Sequence, residues 1–257
     1  MASILVTGSS DGIGLESVRQ LLAAGHRVVG HARDAQRAED LRAAVPGVAE
    51  VVVGDLASLA QTKALAAAAE AAGPFDAVIH NAGVGGGSPR TPTADGLERI
   101  FQVNTVAPYV LTALMPAPAR LVYLTSGLEA QGRLELEDLS WEAREWDGMQ
   151  AYADSKLHDV LLAFAVARLW PGTLANAVDP GWVKTRLGGP NAWDEVDEGA
   201  ATQVWLAASA DPGARVTGEY LKRFEIQVPH PVAREEAAQD ALLERLEQIT
   251  GVPFPRP

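Results

Sequence analysis

Residues 3–18, SILVTGSSDGIGLESV, confine this chain more than any other stretch. A short apolar run leads into three glycines, Gly8, Gly12 and Gly14, spaced GxxxGxG, and an amphipathic segment follows directly. Glycines there let the backbone turn tightly and approach a ligand. The first turn of the following helix offers unpaired N–H groups and the positive end of its dipole. Strand, glycine turn and helix in that order make a seat for the pyrophosphate of a dinucleotide, although the same residues alone also fit an ordinary Gly/Ser turn. No GK[ST] follows, which excludes a P-loop for nucleoside triphosphates.

The same alternation continues along the chain. SILVT (3–7), RVVGHA (27–32), AEVVVG (49–54), FDAVIH (75–80), RLVYLT (120–125) and TLANAVD (173–179) read as buried parallel strands. Helical segments fit at 13–24, 35–44, 58–72, 94–115, 150–169, 197–209 and 233–249. Repeated β–α units predict an α/β fold, a doubly wound parallel sheet with helices on both faces. Nothing in the 257 residues reads as a linker or repeat, so residues 1–257 are expected to form one domain.

The end of the second strand bears on the cofactor. A fold that holds NAD offers an acid about 20 residues past the glycines for the ribose 2′-hydroxyl, and an Arg there accepts a 2′-phosphate instead. Here the segment reads VVGHARDAQR, with Ala32 at the acid's place and Arg33 next. Arg33, helped by Arg37, favours NADP(H) over NAD(H); a surface Arg without a ligand is the alternative. Asp34 immediately precedes AQRAEDL and reads as that helix's N-cap.

Composition removes several other chemistries. There is no Cys, hence no thiolate nucleophile and no Cys-based metal site. The five His never fall at a ligand spacing such as HxxxH, so no metal is expected. A formal charge of −12 makes nucleic acid and anionic membranes unnatural partners. No run of 18 apolar residues occurs, and no basic n-region precedes the first strand. A soluble, cytoplasmic protein is expected.

Only four residues are Tyr and four are Lys, yet Tyr152 and Lys156 stand one helical turn apart in QAYADSKLHDVLLAF. A free phenol, with a pKa near 10, exchanges protons poorly at neutral pH. An ammonium about 5 Å away favours phenolate by roughly 3 kcal/mol at an effective dielectric near 20, or about two pKa units. The pair is a candidate general acid and base for carbonyl–alcohol interconversion. Chance spacing is the alternative, and only agreement elsewhere in the chain decides between them.

That agreement is found in TGSSDGIG (7–14), GDLAS (54–58), HNAGV (80–84), FQVNTVAPYVL (101–111), LVYLTSG (121–127), YADSK (152–156) and VDPGWVKT (178–185). In these motifs the sequence resembles the short-chain dehydrogenase/reductase superfamily, in its single-domain Rossmann form. The resemblance implies that Tyr152 donates and accepts the proton, and that Lys156 binds the nicotinamide ribose and lowers the Tyr pKa. Ser126 would hold the substrate oxygen. Asn104 would kink its helix and hold a water for proton relay. Gly8, Ser10, Gly12, Ile13 and Gly14 would cradle the pyrophosphate. Asp55, which also reads as a cap of the next helix, and Leu56 would meet the adenine. Asn81, Ala82 and Gly83 would lie along the cofactor, and Pro180, Gly181, Val183 and Thr185 would contact the nicotinamide.

Two departures stand out. HNAG replaces the NNAG of many relatives, and His80 reads as a packed strand-end residue. Between Ser126 and Tyr152 lie 25 residues, and their acidic insert over 128–149 carries Trp141 and Trp146. With TADGLERIFQVN and VTGEYLKRFE, that insert resembles the retinol-dehydrogenase-like branch. The two Trp fit either a pocket wall or anchors for a surface loop. Other pocket walls are expected from the Gly-rich 85–87 loop and the 186–196 loop.

The expected partner is a small carbonyl or alcohol substrate. A homodimer or homotetramer is expected from the resemblance and from the apolarity of 157–169, whose alternative is burial within the chain. Two other functions compete: a non-catalytic NADP-binding redox sensor or regulator, and a nucleotide-sugar epimerase. The intact Asn–Ser–Tyr–Lys set argues against the first, and the GxxxGxG spacing against the second.

Overall fold

The computed structural model describes residues 1–86 and 89–256, so Gly87 of the expected pocket wall lies outside the described residues. One sheet runs in the order β3-β2-β1-β4-β5-β6-β7-β8. Its members are β1 (Ser3–Val6), β2 (Arg27–Ala32), β3 (Glu50–Val53), β4 (Ala77–His80), β5 (Arg120–Leu124), β6 (Leu174–Val178), β7 (Tyr220–Lys222) and β8 (Glu225–Gln227). Every neighbouring pair is parallel except β7 with β8. The six expected strands are present. The last two, three residues each, carry no period a sequence can show, and their pairing depends on β6 lying alongside.

Helices α1 (Gly12–Ala23), α2 (Ala35–Ala44) and α7 (Val196–Ala208) lie on one face, packed on Ile4, Val6, Val28 and Ile79. The opposite face carries α3 (Leu59–Ala72), α5 (Ala107–Leu114), α6 (Gly148–Leu169) and α8 (Glu236–Thr250), packed on Leu5, Val29, Val78 and Leu121. Side chains at alternate strand positions therefore serve different cores, as continuous apolar runs covered on both faces require. The caps follow local chemistry: Asp11, Asp34, Ser58 and Asp147 each accept a backbone N–H from the first turn of their helix. Ser58, and not Asp55, caps α3.

The expected 94–115 helix is not continuous. Residues 92–98 form a turn closed by a Pro92–Glu98 bridge, with Gly96 at φ +82°. The helix begins as α4 (Arg99–Phe101), widens into a π turn over Gln102–Val106, and resumes as α5. Asn104 lies at the centre of that turn, where a π bulge shifts the helical register.

Helix α6 is buried along almost its whole length, including Leu157, Val160, Leu161 and Ala165. The cover belongs to this chain. Leu242, Leu243 and Leu246 of α8 join the same core, and Arg168 bonds Asp240 at 2.7 Å. Beyond α8, Tyr109 donates to the Val252 carbonyl at 2.7 Å and Trp170 stacks on Phe254. The apolarity of 157–169 therefore needs no partner subunit. Among the described residues no helix is long and apolar enough to cross a membrane.

His80, at the end of β4, is the packed strand-end residue expected of it. Its Nε2 meets the Thr112 hydroxyl at 3.1 Å, and its ring lies 4.8 Å from that of Tyr123. Burial pushes its pKa down to about 3. A depressed histidine stabilises the fold fully above the unfolded pKa near 6.5, and that contribution fades as pH falls toward 3. Urea unfolding between pH 6.5 and 4.5 should therefore show His80→Asn losing stability less steeply than the wild type, by about 1 kcal/mol per pH unit. Parallel slopes would mean that His80 is not held neutral.

Candidate active site

The site forms where β1 and β4 lie side by side and the helices after them leave to opposite faces, the crevice at which such sheets bind ligands. Gly8 turns the chain with φ +62°, and a Cβ there would lie 2.7 Å from the Ala82 Cα. Gly14, inside α1, is packed so closely that a Cβ would strike the Gly8 carbonyl and the Asn81 amide. The Asn81 side chain donates to the Thr7 and Gly8 carbonyls at 2.9 and 3.1 Å. Thr7 Oγ1 accepts from the backbone N–H of Asn81 and of Ala82. These bonds bind the two strand ends together.

A residue that the sequence reading passed over completes the cradle. The Gly8 N–H donates to Nδ1 of His31 at 2.9 Å, so the ring proton sits on Nε2 and points to the Gly54 carbonyl at 2.8 Å. Burial holds the imidazole below its ordinary pKa, against the pull of that carbonyl and of Asp55. One neutral ring thus ties the glycine turn to the ends of β2 and β3. Its signal was present in VVGHARD, two positions before Arg33.

At the end of β2 Ala32 is buried, while Arg33 is exposed and pairs with Asp34 at 3.3 Å. Asp34 accepts the Arg37 N–H as the N-cap of α2, as expected. Asp55 turns its carboxylate onto the Ala57 N–H. Arg33, Arg37, Asp55 and Leu56 border the same cleft as Ser10, Gly12 and Ile13.

At the other end stand Tyr152 and Lys156 on α6, with the Lys156 ammonium 5.7 Å from the Tyr152 ring centre. Ser126, half-buried after β5, accepts the Leu128 N–H and lies close enough to Tyr152 to favour its phenolate slightly. Asn104 lies behind Gly83: its Oδ1 accepts from the Val84 N–H at 2.8 Å, and its Nδ2 donates to the Val84 carbonyl and to Ser155. The kink expected at Asn104 is the π turn.

The electrostatics correct one expectation. The Tyr152 hydroxyl is raised above a free phenol, because burial outweighs the lowering by Lys156 and because Asp159 and Asp179 oppose the phenolate. Counting the ammonium alone omitted desolvation and both carboxylates. Lys156 itself is raised: burial works against its charge, and Asp159 with Tyr152 overcomes that.

Pro180 and Thr185 border the cleft, whereas Gly181 and Val183 sit behind it. Asp194 fills the space beside Gly181, accepts the Trp182 N–H at 2.8 Å and pairs with Arg223, which pins the 180–195 loop. The two Trp of the insert divide their tasks. Trp141 is buried under the Arg144 guanidinium, 3.8 Å from its ring centre. Trp146 packs edge-on against it and joins the cluster that includes Val84 and Tyr152. Arg99 and Val103, neither singled out from sequence, also border the cleft, as do Gly85, Gly86, Arg186 and Leu187 of the two loops expected to wall it.

The cleft, about 810 Å³, runs unbroken from Arg33 to Tyr152, and its glycine wall fits a dinucleotide. Among the described residues no cluster could hold a metal ion. Fold and site together define an oxidoreductase built to bind a nicotinamide cofactor. The profile for short chain dehydrogenase matches residues 2–127. The short-chain dehydrogenase chyC of Penicillium rubens is 42% identical, over 99% of this chain and 100% of its own length. Retinol dehydrogenase 13 of Homo sapiens is 29% identical, over 98% of this chain and 86% of its own. A crystal structure from Mycobacterium Paratuberculosis superimposes with a TM-score of 0.86 at 26% identity, covering 99% of this chain and 95% of that one. The chain belongs to the short-chain dehydrogenase family, near its retinol-dehydrogenase-like branch.

Gly14→Ala tests the cradle. Alanine ordinarily favours a helix, but here its methyl meets backbone and a fixed amide, and overpacking of this kind costs about 1–3 kcal/mol. Dinucleotide titration and thermal unfolding should both record a loss. An unaltered affinity would show that the turn does not seat the cofactor.

Proposed function

We propose that this protein interconverts a ketone or aldehyde and its alcohol with NADP(H). The observation that carries the reading is the placement of Tyr152 and Lys156 at one end of a glycine-walled cleft, with Ser126 near Tyr152. A bound nicotinamide supplies or accepts the hydride. Tyr152 gives its proton to the carbonyl oxygen in reduction and recovers it from the alcohol in oxidation. A phenol kept protonated by burial suits the reductive direction, in which it must donate. Ser126 holds the same oxygen and shares its developing charge. Lys156 takes the ribose hydroxyls and eases departure of the Tyr152 proton.

Arg33 and Arg37, beside a buried Ala32, support a 2′-phosphate and hence NADP(H). Val84 and Leu187, which border the cleft together with Tyr152, support a neutral, apolar substrate. A homodimer or homotetramer is part of the same proposal. It rests on the family resemblance, since α8 already covers α6.

Tyr152→Phe should fold, bind NADPH and lose about 10²–10⁴-fold in turnover on a carbonyl panel. Near-full activity would sink the reading. Cofactor choice is tested by Arg33→Ala. Loss of a charge-assisted contact costs about 1.5–3 kcal/mol, so NADPH binding should weaken roughly 10- to 100-fold while NADH binding stays nearly unchanged. Equal losses for both would remove the phosphate assignment.

A further inference from the structure

The Lys156 ammonium has a partner within its own helix. Asp159, three residues on, places Oδ2 2.8 Å from Nζ, and the two side chains are only 5% and 4% exposed. A second Nζ proton goes to the Leu124 carbonyl at 2.8 Å. An ammonium has three donors, so one is left over. The open side of Nζ is toward the cleft: a Cβ built on Gly83 would lie 3.6 Å away. Asp159 is an acid inside KLHDVLLAF, an otherwise buried stretch, where an unpaired carboxylate costs several kcal/mol. Nothing in the proton transfer proposed above uses it.

The other charged and titratable groups nearby are occupied elsewhere. Asp179, after β6, pairs with Lys222 of β7 at 2.8 Å. Tyr123 of β5 shares its hydroxyl with Thr112, and His80 of β4 is neutral against that same Thr. His158 meets Thr105, and Glu129 receives the His230 N–H. Among the described residues, Asp159 is the acid in contact with the ammonium.

We infer that Asp159 is the positioning residue of this site: its buried carboxylate fixes the Lys156 ammonium beneath Gly83. The Lys156 ammonium is thus already held before a cofactor arrives, with one donor reserved for the ribose, a role that rests on the oxidoreductase reading. Two further consequences follow from charge and geometry alone. Removing the negative charge while keeping an acceptor should let Tyr152 ionise more easily. Removing both should leave Nζ unanchored.

The test compares Asp159→Asn with Asp159→Leu. Phenolate absorbance is followed against pH over the range in which each protein stays folded, with Tyr152→Phe identifying the Tyr152 contribution. In Asp159→Asn that contribution should appear about one pH unit lower than in the wild type. Coincident curves would overturn the electrostatic role. NADPH titration should find Asp159→Asn within about threefold of wild type and Asp159→Leu at least tenfold weaker. Wild-type affinity in Asp159→Leu would overturn the anchoring role. If the Leu variant fails to fold, the Asn variant alone decides. Should the wild type bind neither NADPH nor NADH, the oxidoreductase reading falls, while the absorbance comparison, which needs no cofactor, still settles Asp159.

Discussion

The site depends on the gap between β1 and β4. The strands pair side by side, yet α1 and α5 cover opposite faces, so the chain diverges above the sheet edge and leaves a crevice. A crevice lined by backbone would collapse or fill unless its walls were fixed. Thr7, Asn81 and His31 fix them with bonds to the strand-end backbone. Side chains are kept out by close packing at Gly8 and Gly14. The cleft is therefore a property of the sheet's winding order, and α6 only has to bring Tyr152 and Lys156 to one end.

At that end burial and charge work against each other. The hydrophobic contacts that hold α6 in place also desolvate Tyr152 and Lys156, which makes both ionised forms costly. The chain keeps the ammonium charged by placing Asp159 beside it, and the same carboxylate hinders the phenolate. A buried acid–base pair of this kind is a balance between the ammonium, the phenol, the carboxylates of Asp159 and Asp179 and the cost of burial.

Much of this was legible before the fold was seen, and the limits have physical causes. The glycine turn, six strands and the Tyr–Lys spacing are local patterns, written in adjacent residues. What sequence did not disclose depends on distant partners. Strands β7 and β8 exist because β6 offers an edge, and Glu129 finds its partner at His230, far along the chain. The π turn at Asn104 leaves no periodic trace in an apolar helix. The Tyr152 pKa was misjudged because burial is a tertiary property, whereas the i, i+4 ammonium is a local one. Asp159 could have been noticed as a lone acid among apolar neighbours. Its pairing with Lys156 needed the burial of both to acquire meaning.

His31 adds a dependence of another kind. Its ring accepts from Gly8 through one nitrogen and donates to Gly54 through the other, so the glycine turn is held by a single tautomer. A second proton on that ring would set donor against donor at Gly8, and the glycine turn would be pushed from its seat. Neither carboxamide side chain reproduces an acceptor and a donor at opposite ends of a rigid ring. The architecture of the glycine turn thus hangs on the placement of one hydrogen atom.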